Sequence, residues 1–196
     1  MNSRNLVFIA MMAALGNVLS AISIRLSPIV PSIPLGPVSV SLALDLSHMT
    51  TFIAALYGGP IVGGMTGLIG GVVAAFEFGF SKGNMVTGLG LPLGKAMTGM
   101  AAGLVMGRMN LDRNKLMMVV STVVSYIPEG VFTAFLFIFL FPPLFGLPSI
   151  VASAIVTQII VKAFVEMVVM GLVLTGITGN QGFTDYVKGF FTERPM

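Results

Sequence analysis

The sequence predicts an all-α membrane protein: a bundle of six transmembrane helices with both termini cytoplasmic. Three observations carry this reading. The 196 residues are 56% hydrophobic and only 9% charged, with a mean hydropathy of +1.00, whereas a soluble domain carries about 25% charged residues. The apolar residues gather into stretches close to the ~20 residues that cross a bilayer, at 5–24, 39–57, 60–80, 84–107, 115–141 and 148–178. Lys and Arg are divided unevenly between the two sides that six crossings create. Arg4, Arg108, Arg113, Lys115, Lys188 and Arg194 fall on the side of the termini, and Arg25 and Lys82 on the other, which places the termini in the cytoplasm. A single integral-membrane domain over 1–196 accounts for the length.

Each element follows from local composition. Hydrophobicity from Leu6 runs past any short signal-peptide core, so 5–24 is a retained span, interrupted only by Asn17 and Ser20. Pro28, Pro31, Pro34 and Pro37 forbid a regular helix over 25–38; this segment is expected to be an ordered outer loop or lid. The second span carries Asp45 and His48 and ends in the tight turn Tyr57-Gly58-Gly59-Pro60. Gly63, Gly67 and Gly71 line one ridge of the third span, which carries Glu77 toward its outer end. The fourth begins outside with Asn84 and Thr87 and reaches Lys95 around mid-depth, at ~1.5 Å per residue. Gly99, Gly103 and Gly107 form its ridge, and the polar loop Leu111-Asp112-Arg113-Asn114 follows. Glu129 comes directly after Pro128 in the fifth span, where the missing donor makes a kink beside the carboxylate expected. The chain breaks from Phe141-Pro142-Pro143 to Pro148, and the sixth span carries Gln158, Lys162 and Glu166.

Polar side chains recur at helical spacing inside these spans: Ser121, Ser125, Glu129 and Thr133; Gln158, Lys162 and Glu166; Ser41, Asp45 and His48. A charge at mid-bilayer costs about 2.5–3.5 kcal/mol on insertion scales, so such residues belong in a protein interior or cavity. Asp45, His48, Glu77, Asn84, Thr87, Lys95, Glu129, Lys162 and Glu166 are therefore the candidate substrate-binding residues. Asp45, Asn84, Thr87 and Glu77 lie toward the outer side. Lys95, Glu129, Lys162 and Glu166 lie deeper, as a floor or a structural lock. Opposite charges at similar depth invite pairing of Lys95 with Glu129, and of Lys162 with Glu166 or Asp45. Asp45, Glu129 and Glu166 outnumber Lys95 and Lys162 by one. A protonated carboxyl, a charged His48 or a cationic ligand would balance that excess.

Several chemistries are disfavoured. Without cysteine there is no disulfide and no thiolate metal site. His48 is the single histidine, too few nitrogen ligands for zinc or nickel, and the methionines scatter without ligand spacing, as flexible packing. No metal and no cofactor is expected. The HExxH, GxSxG and GxxxxGK[ST] patterns are missing. Ser41 or Ser47 could pair with His48, but nothing builds the rest of a nucleophile site, so an enzyme is not expected. The small net charge of +3 and the lack of a basic run give no reason to expect nucleic acid. A stand-alone transporter using Glu129 or Glu166 as a proton relay remains an alternative, one that six spans without an inverted repeat argue against.

Small residues on a membrane helix mark close approach to a neighbour. Within the bundle this describes the glycine ridges. On the first span, Ala10, Ala13 and Ala14 form a gentler small-residue face suited to docking another membrane protein. The start Leu6-Val7-Phe8-Ile9-Ala10-Met11-Met12-Ala13-Ala14-Leu15, the turn Leu56-Tyr57-Gly58-Gly59-Pro60-Ile61-Val62-Gly63-Gly64 and the final span with Lys162 and Glu166 together resemble the substrate-binding S component of energy-coupling factor (ECF) transporters. The resemblance covers nearly the whole chain. It implies a vitamin-uptake module in the cell membrane that has no ATPase of its own. Ala10-x-x-x-Ala14 would dock on the coupling transmembrane subunit, which joins two ATP-binding cassette ATPases. Substrate would be held near the outer face, and toppling of the S component would deliver it inward. The chain has no Trp, and of Tyr57, Tyr126 and Tyr186 only Tyr126 lies well inside a span. Stacking on a flat ring would fall to Phe, which argues against riboflavin-like and thiamine-like substrates. The chain also lacks the His-rich start of nickel or cobalt members.

Overall fold

The computed structural model describes residues 2–30, 32–35, 38–41, 44–108 and 115–192. The polar loop 111–114, Arg194, Pro31 and Pro37 lie outside the described residues. Helix α1 is Ser3–Leu26. It is followed by an antiparallel hairpin of β1, Ser32–Leu35, and β2, Val38–Ser41, in which Ser32 faces Ser41 and Leu35 faces Val38. Helix α2 is Ser47–Gly70, α3 Val72–Phe78, α4 Met85–Met106 and α5 Lys115–Phe135. A π-helical turn, Leu136–Leu140, leads into the short α6, Phe141–Phe145. Helix α7 is Ser149–Thr178 and α8 is Gln181–Thr192.

Two sequence-based expectations change here. The Pro-rich stretch, expected as an ordered loop or lid, takes in the end of α1, to Leu26, and the paired strands Ser32–Leu35 and Val38–Ser41. Pro34 is tolerated because both strands of a two-stranded ribbon are edges, and alternating Val38-Ser39-Val40-Ser41 suits an extended backbone. The second span therefore starts at Ser47, not at 39. Ser41 lies in β2 and Asp45 precedes the helix, so the expected single-helix face of Ser41, Asp45 and His48 does not form.

Among the described residues, five stretches are long and apolar enough to cross a membrane: Ser3–Leu26, Ser47–Lys82, Met85–Met106, Lys115–Phe145 and Ser149–Thr178. The second of these doubles back. Gly59 takes φ +81°, a left-handed conformation that glycine adopts without a Cβ clash, directly before Pro60. A Cβ on Gly63 would lie 2.6 Å from the Cβ of Ala55, a contact impossible in a straight helix, where eight residues rise ~12 Å. The arms 47–58 and 60–70 thus form a tight helical hairpin, as the Gly-Gly-Pro turn predicts. The first arm is only ~18 Å long against a ~30 Å hydrocarbon core. The second stretch therefore folds as two arms of unequal length.

The two glycine ridges pack against each other. A side chain on Gly99 would strike the Gly63 carbonyl, one on Gly67 the Lys95 carbonyl, and one on Gly103 the Pro60 backbone. Such backbone-to-backbone approach is how membrane helices gain dispersion contact when lipid offers no hydrophobic drive. Ala13 is buried against Gly70, and Gly16 against Thr50. Both chain ends lie at one end of the bundle: Arg4 Nη1 donates to the Phe190 carbonyl at 3.1 Å, and Phe8 packs edge-on to Phe191 with centroids 5.0 Å apart. The amphipathic α8 turns Phe183, Val187, Phe190 and Phe191 toward the core and leaves Gln181, Asp185 and Lys188 exposed.

Candidate functional site

The bundle encloses a cavity of about 700 Å³. Eight of the nine predicted site residues line it: Asp45, His48, Asn84, Thr87, Lys95, Glu129, Lys162 and Glu166. Glu77 does not. Its side chain is exposed on α3, off the cavity, because α3 turns the other face, with Ala74 and Phe78, toward the interior.

The start of α2 is the hub of the polar network. Leaving the hairpin, the chain presents the Asp45 carboxylate to the Ser47 N–H at 3.0 Å, an acid at the positive end of a helix dipole. The Asp45 N–H donates to Glu166 Oε1 at 2.8 Å, and the Leu46 N–H to Ser23 Oγ at 3.4 Å. Lys95 Nζ lies 3.3 Å from Asp45 Oδ2 and also donates to Ser47 Oγ. One short segment thus ties α1, α4 and α7 together. The expected partner of Lys95 is Glu129; the structure gives Asp45 instead, while Glu129 packs on the same helix α4 at Gly94 and Thr98.

Glu129 belongs to a second set. Its Oε2 accepts from Thr98 Oγ1 at 2.6 Å and lies 3.3 Å from His48 Nε2. The neighbouring Gly94 makes room for it, since a Cβ there would come 3.0 Å from Glu129 Cγ. With Nε2 turned to the carboxylate, His48 Nδ1 has no hydrogen-bond partner although it is buried; the nearest charge, Asp45 Oδ2, is 3.9 Å away. Lys162 and Glu166 form the predicted i,i+4 pair at 3.5 Å. Of the two lysines deep within the spans, Lys162 keeps the more accessible side chain, 33% exposed against 4% for Lys95.

Residues outside the nine candidates complete the lining, Thr133 among them from the predicted polar stripe of the fifth span. Ser20 and Ser23 contribute from α1, Phe78 and Lys82 from the segment before α4, and Tyr126 and Thr133 from α5. Leu136, Phe137 and Phe141 come from the π-helical turn and its end. Pro142 and Pro143 lack the N–H groups that would continue the α-helical ladder, and the Phe141 N–H bonds Leu136, five residues back. This widened turn sets Phe137 and Phe141 in a stack, with centroids 4.3 Å apart. The double proline was the available signal, but a sequence does not show which face a widened turn presents. Among the described residues no cluster of His, Cys, Asp and Glu suits a metal ion.

The predicted docking residues divide. Ala10 and Ala14 are exposed on the outer face of α1 beside Met11, Leu15 and Val18. Ala13 is 1% exposed and packs inward against Gly70, so its assignment to a docking face is corrected: although 10, 13 and 14 are helical neighbours, position 13 lies on the side of α1 that, with Gly16, meets the α2 hairpin.

A family model for the ECF transporter substrate-specific component matches residues 4–178. No curated protein and no solved structure matches the chain. The matched region takes in the whole cavity lining, from Ser20 to Glu166, and most of every long apolar helix. With several apolar helices around a polar-floored hollow, the chain belongs to the substrate-specific components of ECF transporters, multi-pass proteins of the cell membrane that bind substrate and associate with ECF transmembrane and ATPase subunits.

Proposed function

We propose that this protein captures a vitamin or related micronutrient near the outer face of the membrane for ATP-driven uptake by its partner subunits. The observation that carries the reading is the convergence of polar groups from α1, α2, α4, α5 and α7 on one cavity. Its volume of about 700 Å³ is in the range of small-molecule sites, roughly 300–1,000 Å³. The hollow lies toward the end of the bundle away from Arg4 and Phe190, and the Lys and Arg distribution supports reading that end as the outer one. Asp45, His48, Asn84, Thr87, Lys95, Glu129, Lys162 and Glu166 are the proposed binding set, with Tyr126, Phe137 and Phe141 as ring surfaces. Ala10 and Ala14 are the proposed contact with the transmembrane coupling subunit.

Within that set the roles differ. Lys95 with Asp45, and Glu129 with His48 and Thr98, hold the floor in shape. Lys162, Asn84 and Thr87 keep side chains partly accessible. The test is mass spectrometry of small molecules carried through purification, with calorimetry on the compound found. Glu129→Gln is expected to weaken binding by about tenfold, through loss of charge-assisted hydrogen bonds, in a protein that stays folded. Ligand affinity unchanged in Glu129→Gln would remove Glu129 from the site. A stand-alone proton-coupled carrier is not favoured by the family match.

A further inference from the structure

The charge arrangement of the cavity narrows the substrate class, on the reading that the cavity binds a micronutrient. Each carboxylate in the lining already meets a donor from the protein. Asp45 holds Lys95 and the Ser47 N–H, Glu129 holds Thr98 and His48, and Glu166 holds the Asp45 N–H and Lys162. Two of these acids are also withdrawn, Glu129 and Glu166 each having side chains only 8% exposed, whereas Asp45 is 29% exposed but already holds the Lys95 ammonium. Lys82 joins Lys95 and Lys162 in the lining, so the acid excess counted from the spans disappears without a cationic ligand.

The cations are less completely engaged. Lys162 is a third exposed and meets one carboxylate oxygen at 3.5 Å, whereas an ammonium carries three donors. Lys82 is exposed, with its ammonium 5.3 Å from the centre of the Phe78 ring. His48, which also lines the cavity, has its Nδ1 buried without a hydrogen-bond partner. With Nε2 turned to Glu129, Nδ1 is an acceptor in the neutral imidazole and a donor in the imidazolium. Between these polar points the walls are apolar: Phe137, Phe141, Ile155, Ile159 and Leu91.

We infer that the substrate is a small amphipathic organic monoanion. Its carboxylate is received by Lys162, its apolar body lies on Phe137, Phe141, Ile155 and Ile159, and a polar group of the substrate meets His48 Nδ1. A single ammonium, already shared with Glu166, suits one negative charge; a phosphate dianion would call for several further donors. A cationic substrate would meet Lys162 and Lys82 before reaching any carboxylate that is not already hydrogen-bonded.

The experiment is calorimetric titration of the purified full chain in detergent with matched acids and uncharged counterparts: biotin with biotinamide, pantothenate with panthenol, nicotinate with nicotinamide. Thiamine serves as the cation and riboflavin as an uncharged ring compound. At least one acid is expected to bind, with its counterpart weaker by about 10- to 100-fold, the loss when a charge-assisted contact is removed. Lys162→Met should reduce the acid to the affinity of its counterpart, while Lys162→Arg, which keeps the charge, should retain most of the preference and guard against a merely misfolded Met variant. Tightest binding by thiamine, riboflavin or an uncharged counterpart would overturn the anion assignment and leave the capture role standing. An acid preference that survives Lys162→Met would overturn the role of Lys162. Silence of the whole panel would count against both the acid assignment and the capture reading.

Discussion

Lys95→Met separates the floor of the cavity from its ligand-binding surface. Lys95 is 3% exposed, and its ammonium is shared between Asp45 and Ser47. Breaking a fully buried ion pair costs about 3–5 kcal/mol, because the remaining charge is stranded. Asp45 is not fully stranded: its side chain is 29% exposed and keeps the Ser47 N–H. Hydration from the cavity recovers part of the loss, which leaves an expected destabilisation of about 1–3 kcal/mol. The second variant, Asp45→Asn, removes the charge while keeping an oxygen for Ser47. The double variant should therefore be more stable than the sum of the singles predicts, with a coupling of about 1–2 kcal/mol. Denaturant unfolding of the four proteins in mixed micelles, followed by circular dichroism, measures it. Additivity within about 0.5 kcal/mol would refute the pairing and return Lys95 to the pool of ligand contacts.

Gly99→Ala should lower stability by more than about 2 kcal/mol or abolish membrane expression, because the new methyl meets the Gly63 carbonyl, a backbone atom that cannot swing aside; thermal unfolding in detergent reads the loss, and wild-type stability would mean that the ridges do not touch. Ala14→Trp should leave the fold and ligand affinity intact while reducing copurification of the transmembrane coupling subunit at least several-fold, whereas Ala13→Trp, placed against Gly70, should unfold the bundle. Full assembly with Ala14→Trp would move the docking face off α1. Phe8→Ala should detach α8 by removing the ring that packs on Phe190 and Phe191, a loss of about 3–5 kcal/mol for a buried aromatic; faster proteolysis after Asn180 is the readout, and unchanged cleavage would contradict it.

Composition and spacing were enough to name the membrane environment, because the bilayer admits little besides apolar helices of the required length. They located the Gly58-Gly59-Pro60 reversal, whose conformation only glycine adopts cheaply, and picked nine candidate residues of which eight line the cavity, because burying charge in lipid is so unfavourable that charges deep in the spans point inward. Glu77 failed that rule by sitting near a helix end, where an exposed carboxylate costs little. Tertiary structure alone decided the partners. Lys95 reached Asp45 rather than Glu129, and Glu129 reached Thr98 and His48, because pairing depends on how helices rotate and approach, which one-dimensional spacing does not encode. The same holds for the hairpin before α2, where pairing of two short strands won over the helical continuation, and for the phenylalanines of the π-helical turn. A helix period fixes which residues share a face; the packing of glycine against backbone fixes which faces meet.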